Sequence, residues 1–200
     1  MSHIIKLLAI DTSTDACSVA LYDNGNIIAE NELAPKAHTR ILLPIIDRLL
    51  AKANLTLADL DAFAFGRGPG SFTGIRIACS MVQAFGYAFQ KPILPISTLQ
   101  ALAAGSYRTT HHKAIMAMID ARIGAVYWGL FQADNAGIMQ PCSEEKRQSL
   151  DDIELPEGHW ERVEGYPLAE DIARLAVVEY QLGKGVLPEQ IELTYLGGSF

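Results

Sequence analysis

The sequence has few cysteines and no long apolar run, and each shortage excludes a class of protein. The 200 residues include three cysteines, Cys17, Cys79 and Cys142, which form no Cys-x-x-Cys pair. This spacing indicates neither a disulfide framework nor a dithiol redox site. No apolar run reaches the roughly 18 residues that a membrane-spanning helix needs, and the start Met1-Ser2-His3-Ile4 lacks the charged region of a signal peptide. We therefore expect a cytoplasmic protein with reduced cysteines and no membrane partner.

Basic residues are also scarce. The chain has 16 lysines and arginines against 23 aspartates and glutamates, which gives a formal net charge of −7. Binding of nucleic-acid phosphates requires a basic surface, and the only adjacent basic pair here is Lys146-Arg147. We therefore expect any nucleic-acid contact to come mainly through a partner. Half of the residues are hydrophobic, which suffices for a core.

Histidine pairs that would hold a metal ion are missing. Metal-binding helices often carry two histidines four residues apart, because this spacing puts both imidazoles on one face. His38 is followed four places later by a leucine, His111 and His112 are adjacent, and His3 and His159 stand alone. The sequence predicts no metal site and no cofactor.

The most informative segment present runs from Gly66 to Arg76 and reads Gly-Arg-Gly-Pro-Gly-Ser-Phe-Thr-Gly-Ile-Arg. It follows the apolar run Leu60–Phe65, which predicts a buried strand, and precedes a helical pattern for which Ser71 is a good N-cap. The segment lacks the Gly-Lys-Ser/Thr ending of a P-loop, the G-x-G-x-x-G dinucleotide fingerprint and the G-x-S-x-G elbow of hydrolases. An architectural loop and an anion-binding loop both stay open. The candidate residues for a ligand site shared with a partner are Arg67, Gly68, Gly70, Ser71, Thr73, Gly74 and Arg76.

Two parts of the chain repeat one pattern. Leu7–Asp11 and Met116–Asp120 are both apolar strands that end in aspartate, and each is followed by a turn and a second apolar strand. The first copy then turns at Asn24-Gly25, a strong hairpin signal, and the second turns near Asn135-Ala136-Gly137. Each half continues into helix-like sequence, which favours two β-β-β-α lobes over one uniform sheet.

The duplicated lobe with Asp-Thr-Ser-Thr after its first strand resembles the actin, sugar-kinase and Hsp70 (ASKHA) superfamily, and the Gly66–Arg76 motif resembles the TsaB (YeaZ) family in particular. The similarity runs from the first strand to about Phe131. It implies an α/β fold in which two lobes of duplicated ribonuclease H-like (actin-like ATPase) architecture contain mixed sheets flanked by helices. The further matching segments are Ile10–Thr14, Cys17–Leu21, His38-Thr39, Ser97–Leu99 and Ile119–Arg122.

The resemblance also implies a function. TsaB-like proteins are non-catalytic subunits that support threonylcarbamoylation of the adenosine immediately 3′ of the tRNA anticodon. They form a heterodimer with the catalytic paralogue TsaD through the N-terminal lobe, are joined by the ATPase TsaE, and form a homodimer when alone. For this chain the resemblance therefore implies a scaffold and activator role without catalytic residues, with tRNA contact mainly through the complex.

Two other functions stay open as alternatives. One is a small actin-like ATPase. Active members of the superfamily have a phosphate loop of the form Asp-x-Gly-Thr-Thr, and Ser13 stands where that glycine would be, so its side chain obstructs backbone approach to a phosphate. Asp11 and Asp120 can also be interpreted as paired carboxylates for acid–base chemistry, although strand termination explains them as well. The other alternative is a self-associating structural protein.

Two helical segments carry more apolar surface than a single core-facing stripe needs. In Thr39–Asn54 and Ser71–Gln90, apolar and small residues cover much of the helix circumference. Burial inside the lobe and docking to a partner both fit this pattern, and the resemblance favours docking. The predicted partner interface comprises His38, Leu42, Ile45, Ile46, Leu49, Ile75, Ala78, Met81, Val82 and Phe85. Pro44 predicts a bend or a delayed start of the first helix.

The C-terminal part departs from the family pattern. We place an N-terminal lobe, with the glycine-rich loop and the docking helices, at residues 1–100 and a C-terminal lobe at residues 101–200. Gly165-Tyr166-Pro167 leads almost directly into a helix predicted at Leu168–Leu182, whereas the family has a longer connection there. Tyr195-Leu196 is followed by Gly-Gly-Ser-Phe, where the family has an arginine and a basic tail. The sequence leaves open whether the connection is naturally short or residues are missing.

Overall fold

The computed structural model describes residues 4–197, which form two mixed β-sheets flanked by helices. Residues 1–3, at the predicted leaderless start, and residues 198–200, at the end that departs from the family pattern, lie outside the described residues. The strands are β1 (Lys6–Asp11), β2 (Ala16–Asp23), β3 (Asn26–Leu33), β4 (Ala62–Gly66), β5 (Ile93–Ile96), β6 (Ala114–Asp120), β7 (Ala125–Ala133), β8 (Met139–Pro141), β9 (Lys146–Ser149) and β10 (Glu161–Glu164). The α-helices are α1 (His38–Ala53), α2 (Phe72–Phe89), α3 (Thr98–Thr110) and α4 (Ala169–Gln181).

The first sheet has the strand order β3-β2-β1-β4-β5. β1 pairs antiparallel with β2 and parallel with β4, which in turn is parallel to β5. The predicted hairpin between β2 and β3 is confirmed: Asn24 and Gly25 have φ values of 47° and 95°, the left-handed geometry that an Asn-Gly turn adopts readily. Helix α1 lies in the chain between β3 and β4, and α2 forms the crossover between β4 and β5. Both helices pack against one face of this sheet.

The second sheet has the order β10-β6-β7-β8, and β9 also pairs with β7. Its antiparallel meander β6-β7-β8 repeats β1-β2-β3, as the sequence pattern predicts. After β8, however, strands β9 and β10 and a short 3₁₀ turn at Leu150–Asp152 stand where the first lobe has α1. One face of the sheet is covered by α3, and the other by the segment that contains Ile153, Leu155 and Trp160.

Helix α4 returns to the first sheet, although the boundary at residue 100 assigns it to the C-terminal lobe. Ala169, Ile172 and Ala176 are fully buried against the face of the sheet opposite α1 and α2. The Ala169 N–H donates a hydrogen bond of 2.7 Å to Ser18 Oγ in β2. Because α4 covers this second face, the first sheet is enclosed between two helical layers, as parallel strands require.

The helix starts follow local sequence signals. Ser71 Oγ accepts a hydrogen bond of 3.3 Å from the Gly74 N–H, so Ser71 is the predicted N-cap and α2 begins at Phe72. α1 begins at His38 and contains Pro44, so the predicted delayed start is wrong. Pro44 lies on the exposed side of α1, where its ring meets solvent and the helix loses a single backbone hydrogen bond.

Candidate functional site

The glycine-rich loop is closed by the chain's own backbone. The Ser71 N–H donates a 2.7 Å hydrogen bond to the Ser13 carbonyl, and Thr12 Oγ1 donates one of 2.7 Å to the Gly74 carbonyl. A Cβ atom on Gly70 would lie 2.5 Å from the Ser13 carbonyl oxygen, and one on Gly74 would collide with the Thr12 carbonyl. These glycines therefore let the loop pack on the turn after β1.

The C-terminal residues 191–197 fill the other side of this loop. Gly68 has a φ of 103°, and a Cβ atom there would lie 2.6 Å from the Thr194 carbonyl oxygen. The Thr194 N–H donates a 2.9 Å hydrogen bond to the Arg67 carbonyl, and the Arg67 guanidinium donates to Thr194 Oγ1. The space beside Gly68, Gly70 and Gly74 is thus occupied by protein. Use of this loop by a ligand shared with a partner stays a prediction.

Asp11, the first aspartate of the repeat, is sealed from solvent. Its Oδ1 accepts hydrogen bonds from the Ser13 N–H (3.0 Å) and the Ser13 hydroxyl (2.9 Å), whereas its Oδ2 has no hydrogen-bond partner among the described residues. Burial raises the pKa of Asp11 from 3.8 to about 7, against the opposing effect of the two Ser13 hydrogen bonds. Asp120 is exposed and accepts a hydrogen bond from the Arg122 N–H. An acid–base role would require Asp11 to reach a substrate, and the closed loop prevents that.

Most of the predicted partner interface is core. Eight of its ten residues are buried in the chain, since the apolar stripes of α1 and α2 face the first sheet. Met81 and Phe85 are partly buried, and the Phe85 ring packs at a tilt against Phe63 of β4, with ring centroids 5.4 Å apart. The predicted surface therefore needs correcting, because these side chains stabilise the lobe. The buried eight are His38, Leu42, Ile45, Ile46, Leu49, Ile75, Ala78 and Val82.

The outer face of α2 is the unusual surface of this lobe. Arg76 is the only charged residue among the 18 residues of this helix. A solvent-facing helix normally carries charged residues on its outer side, whereas this one presents small, apolar and hydroxyl groups. The exposed residues are Phe72, Thr73, Arg76, Ser80, Ala84, Tyr87 and Ala88. The lack of charge along Ser71–Gln90 is the sequence signal that could have identified this face.

An open groove of about 580 Å³ runs along this face, between α2 and the start of α1. Its walls are mostly apolar, and the single ionic group is at one end. The lining residues are Thr39, Phe72, Thr73, Arg76, Ile77, Ser80, Met81 and Ala84. Interface centres are depleted of charge and enriched in aromatic residues, methionine and arginine. Of the ten predicted interface residues, only Met81 lines the groove, and two predicted loop residues, Thr73 and Arg76, line it as well.

Arg76 is held in one orientation at the end of the groove. Its guanidinium carbon lies 3.7 Å from the centre of the Phe72 ring, and its Nε donates a 3.1 Å hydrogen bond to the Tyr195 hydroxyl. The Phe72 and Tyr195 rings contact each other with centroids 5.3 Å apart. Tyr195 belongs to the segment that covers the glycine-rich loop, so loop, helix and C-terminal segment meet at this point.

Residues 4–197 contain neither a metal-ligand cluster nor a membrane-spanning helix. Within that range, no three His, Cys, Asp or Glu side chains come together as metal ligands would. Over the same residues, no helix has both the length and the apolar composition that crossing a membrane requires.

Comparison with known proteins places this geometry in a family. A family model described as TsaD, tRNA N6-adenosine threonylcarbamoyltransferase, matches residues 26–157. The tRNA threonylcarbamoyladenosine biosynthesis protein TsaB of Escherichia coli (strain K12) is 43% identical over 134 residues, which are 67% of this chain and 58% of that protein. The protein of the same name from Haemophilus influenzae is 46% identical over 124 residues, which are 62% of this chain and 52% of that protein. The chain thus spans little more than half the length of these curated relatives.

A solved structure covers almost the whole chain. YeaZ from Pseudomonas aeruginosa superimposes with a TM-score of 0.91 at 36% sequence identity, and the match covers 96% of this chain and 100% of that one. The expected α/β fold with two mixed sheets flanked by helices is confirmed, and it is the actin-like ASKHA architecture. On the strength of the family model and these relatives, the chain belongs to the TsaB (YeaZ) family.

Proposed function

We propose that the chain is a non-catalytic scaffold and activator subunit in threonylcarbamoylation of the adenosine immediately 3′ of the tRNA anticodon. In this proposal it forms a heterodimer with the catalytic paralogue TsaD and recruits the ATPase TsaE. Relatives named for tRNA threonylcarbamoyladenosine biosynthesis support the process, and a tRNA-modifying role places the chain in the cytoplasm. The observation that carries the scaffold role is the almost uncharged outer face of α2 with its groove.

The docking face proposed here consists of the outward residues of α2 and the start of α1, which we call the α2 face. It replaces the buried residues of the predicted partner interface. Exposing apolar groups such as Phe72, at 46% exposure, has a free-energy cost in water that a partner helix would remove by covering them. A small residue such as Ala84 lets a partner helix approach closely.

The lack of catalysis is supported by the closed loop. The turn at Thr12 and Ser13 packs directly against the glycine-rich loop, and Asp11 is fully buried and so has no access to magnesium. The alternative, a small ATPase, would require this turn and the glycine-rich loop to separate. Hydrolysis of ATP by the isolated chain, lost in Asp11→Ala, would overturn the non-catalytic role.

Contact with tRNA belongs mainly to the partner in this proposal. The chain has a net charge of −7, and several of its arginines are engaged internally. Arg48 pairs with Glu30, and Arg108 pairs with Asp171. Binding of nucleic acids is driven by counterion release when lysines and arginines neutralise phosphates, and this chain offers little free basic surface for that.

The test is reconstitution of tRNA threonylcarbamoylation from TsaD, TsaE and the carbamoyl-adenylate synthase, with and without the chain. We expect modification only when the chain is present, together with a mixed oligomer in light scattering. Ser80→Glu on the α2 face should abolish both signals, because the longer side chain fills the groove and its carboxylate, one helical turn from Arg76, occupies that guanidinium. Thr110→Glu, an exposed hydroxyl residue on α3, is the matched control and should retain both. Full activity of Ser80→Glu would exclude the α2 face.

A second candidate function, self-association, uses the same surface. An apolar face on one protomer can cover the same face on a second copy through a two-fold axis, although this pairing brings two Arg76 side chains together without a counter-charge. Light scattering of the chain alone, with Ser80→Glu as the variant, tests it. A dimer that persists in Ser80→Glu would place self-association elsewhere on the chain.

A further inference from the structure

The charge of Arg76 is not neutralised by the part of the chain that the structure describes. Within residues 4–197, no carboxylate forms an ion pair with its guanidinium, whereas Arg48, Arg108 and Arg174 all pair with acidic residues. Arg76 is exposed, and its hydrogen bond goes to a neutral phenol, the Tyr195 hydroxyl. A chain with seven more acidic than basic residues thus leaves an arginine unpaired at the one charged position of α2.

The guanidinium is prepared for a planar ligand. Nε donates to the Tyr195 hydroxyl, and the two terminal nitrogens supply four further N–H groups for a ligand. Stacking on Phe72 fixes the plane of the group, so that less side-chain entropy is lost when a ligand binds. Two parallel N–H groups of a guanidinium match the two oxygens of a carboxylate.

The surroundings of Arg76 favour a carboxylate on a protein over a phosphate. A phosphate site normally combines several cations or backbone N–H groups, and none of the other groove residues carries a positive charge. The neighbouring groups in the groove, Ile77, Met81 and Ala84, suit apolar side chains instead. The complementary ligand is therefore an apolar helix that carries one acidic residue.

A second copy of the chain cannot supply that residue by pairing groove against groove. The lining of the groove contains no aspartate or glutamate, and α2 contains none at all. Such a pairing would bury two Arg76 side chains without counter-charges, which is costly. The acidic residue that α1 contains, Asp47, lies at the other end of the helix layer, beside Leu55 and Phe89.

We propose that Arg76, held by Phe72 and Tyr195, selects the partner by binding an aspartate or glutamate side chain on an apolar helix of the TsaD-type subunit. This inference rests on the proposed function and identifies the chemical feature that the α2 face recognises. It gives the C-terminal segment a role, because Tyr195 positions the guanidinium.

The experiment is calorimetric binding of the full chain to TsaD of the same organism, at low and at high salt. Arg76→Gln should weaken binding by at least about 10-fold, since it leaves a buried carboxylate unpaired in the partner. The loss should shrink at high salt, where screening weakens the pair. Tyr195→Phe, which removes only the positioning hydroxyl, should weaken binding by about 2- to 5-fold. Arg162→Gln, an exposed arginine of β10, should stay within about 2-fold of the original affinity.

The outcomes separate this inference from the proposed function. If the unaltered chain does not bind TsaD, the proposed function and the inference both fall. If it binds and Arg76→Gln binds within about 2-fold, only the inference falls. If Arg76→Gln and Asp47→Asn both weaken self-association while TsaD binding is unchanged, the ligand is a second copy and the inference is wrong. A double-mutant cycle between Arg76→Gln and each acidic residue of the partner's facing helix should find one coupled carboxylate.

Discussion

Helices α2 and α4 pack on opposite faces of the same sheet and have similar inner sides but different outer sides. Both bury an apolar stripe, through residues such as Val82 and Ile172. α4 has four charged residues among 13, and α2 has one among 18. The charges of α4 are paired within the chain, as in the contact between Arg174 and Glu170 at 2.9 Å. The comparison indicates that the outer side of α4 is an ordinary solvent-exposed surface that needs no partner, whereas the outer side of α2 has the composition of an interface.

The largest expected effect is on the inner sides of α2 and α4, where an acidic substitution should be equally destabilising in both helices. Val82→Asp and Ile172→Asp each bury a carboxylate in an apolar layer, and each should lower the free energy of unfolding by more than about 4 kcal/mol. Circular dichroism should show loss of the folded signal in both variants. Ser80→Asp, two residues before Val82 and on the outer side of α2, should melt within a few degrees of the unaltered chain. A folded Val82→Asp variant would mean that α2 is not anchored as described.

The next largest effect concerns Asp11, the last residue of β1, beside the turn on which the glycine-rich loop packs. The folded-state pKa of Asp11 is raised to about 7 from 3.8 because the carboxyl is buried. Between these two values the folded chain binds more protons than the unfolded chain, so the stability contributed by Asp11 is complete below about pH 4 and is lost as the pH rises towards 7. Asp11→Asn imitates the protonated carboxyl and should therefore unfold with a flatter pH dependence.

The measurement for Asp11 is urea unfolding of both proteins from pH 4 to pH 8. Near pH 4 the two free energies of unfolding should agree, and at pH 8 Asp11→Asn should be more stable by about 2–4 kcal/mol. Asp120→Asn, at the exposed aspartate of the second repeat, is the matched control and should follow the unaltered chain throughout. Parallel curves for Asp11→Asn and the unaltered chain would show that Asp11 is ionised in the fold across this range.

Sequence patterns predict the parts of this fold that depend on neighbouring residues. The Asn24-Gly25 hairpin, the Ser71 cap and both meanders arise from local turn chemistry and alternation, and the structure contains them. The choice between burial and exposure on α1 and α2 is different. An apolar residue such as Ile45 has the same pattern whether it faces a sheet or a partner, so the pattern alone did not identify the core.

Contacts between distant parts of the chain could not be predicted from the sequence either. Thr194 lies 127 residues from Arg67, with which it shares hydrogen bonds, and no local rule joins two such polar residues. Ala169 and Ser18 are 151 residues apart. The glycine-rich motif left open an architectural loop and an anion-binding loop, because glycines alone do not distinguish an anion from the chain's own carbonyl groups. Only the folded arrangement shows that Thr12 and Ser13 fill the space.

The last prediction compares two arginines under one substitution. Arg108 links α3 to α4, with its Nε 2.9 Å from Asp171 Oδ1, and Asp171 is almost fully buried. Arg108→Met should lower the free energy of unfolding by about 1–3 kcal/mol at pH 7, because a buried carboxylate loses its partner while Arg108 itself is partly screened by solvent. Burial already raises the pKa of Asp171, so protonation at low pH should reduce this loss. Arg76→Met leaves no carboxylate unpaired within the described chain and should cost less than about 1 kcal/mol. Urea unfolding of the two variants at pH 5 and pH 7 measures both effects. If Arg76→Met were as destabilising as Arg108→Met, Arg76 would be part of the chain's own framework, and the distinction between a complete α4 surface and an unpartnered α2 surface would no longer hold.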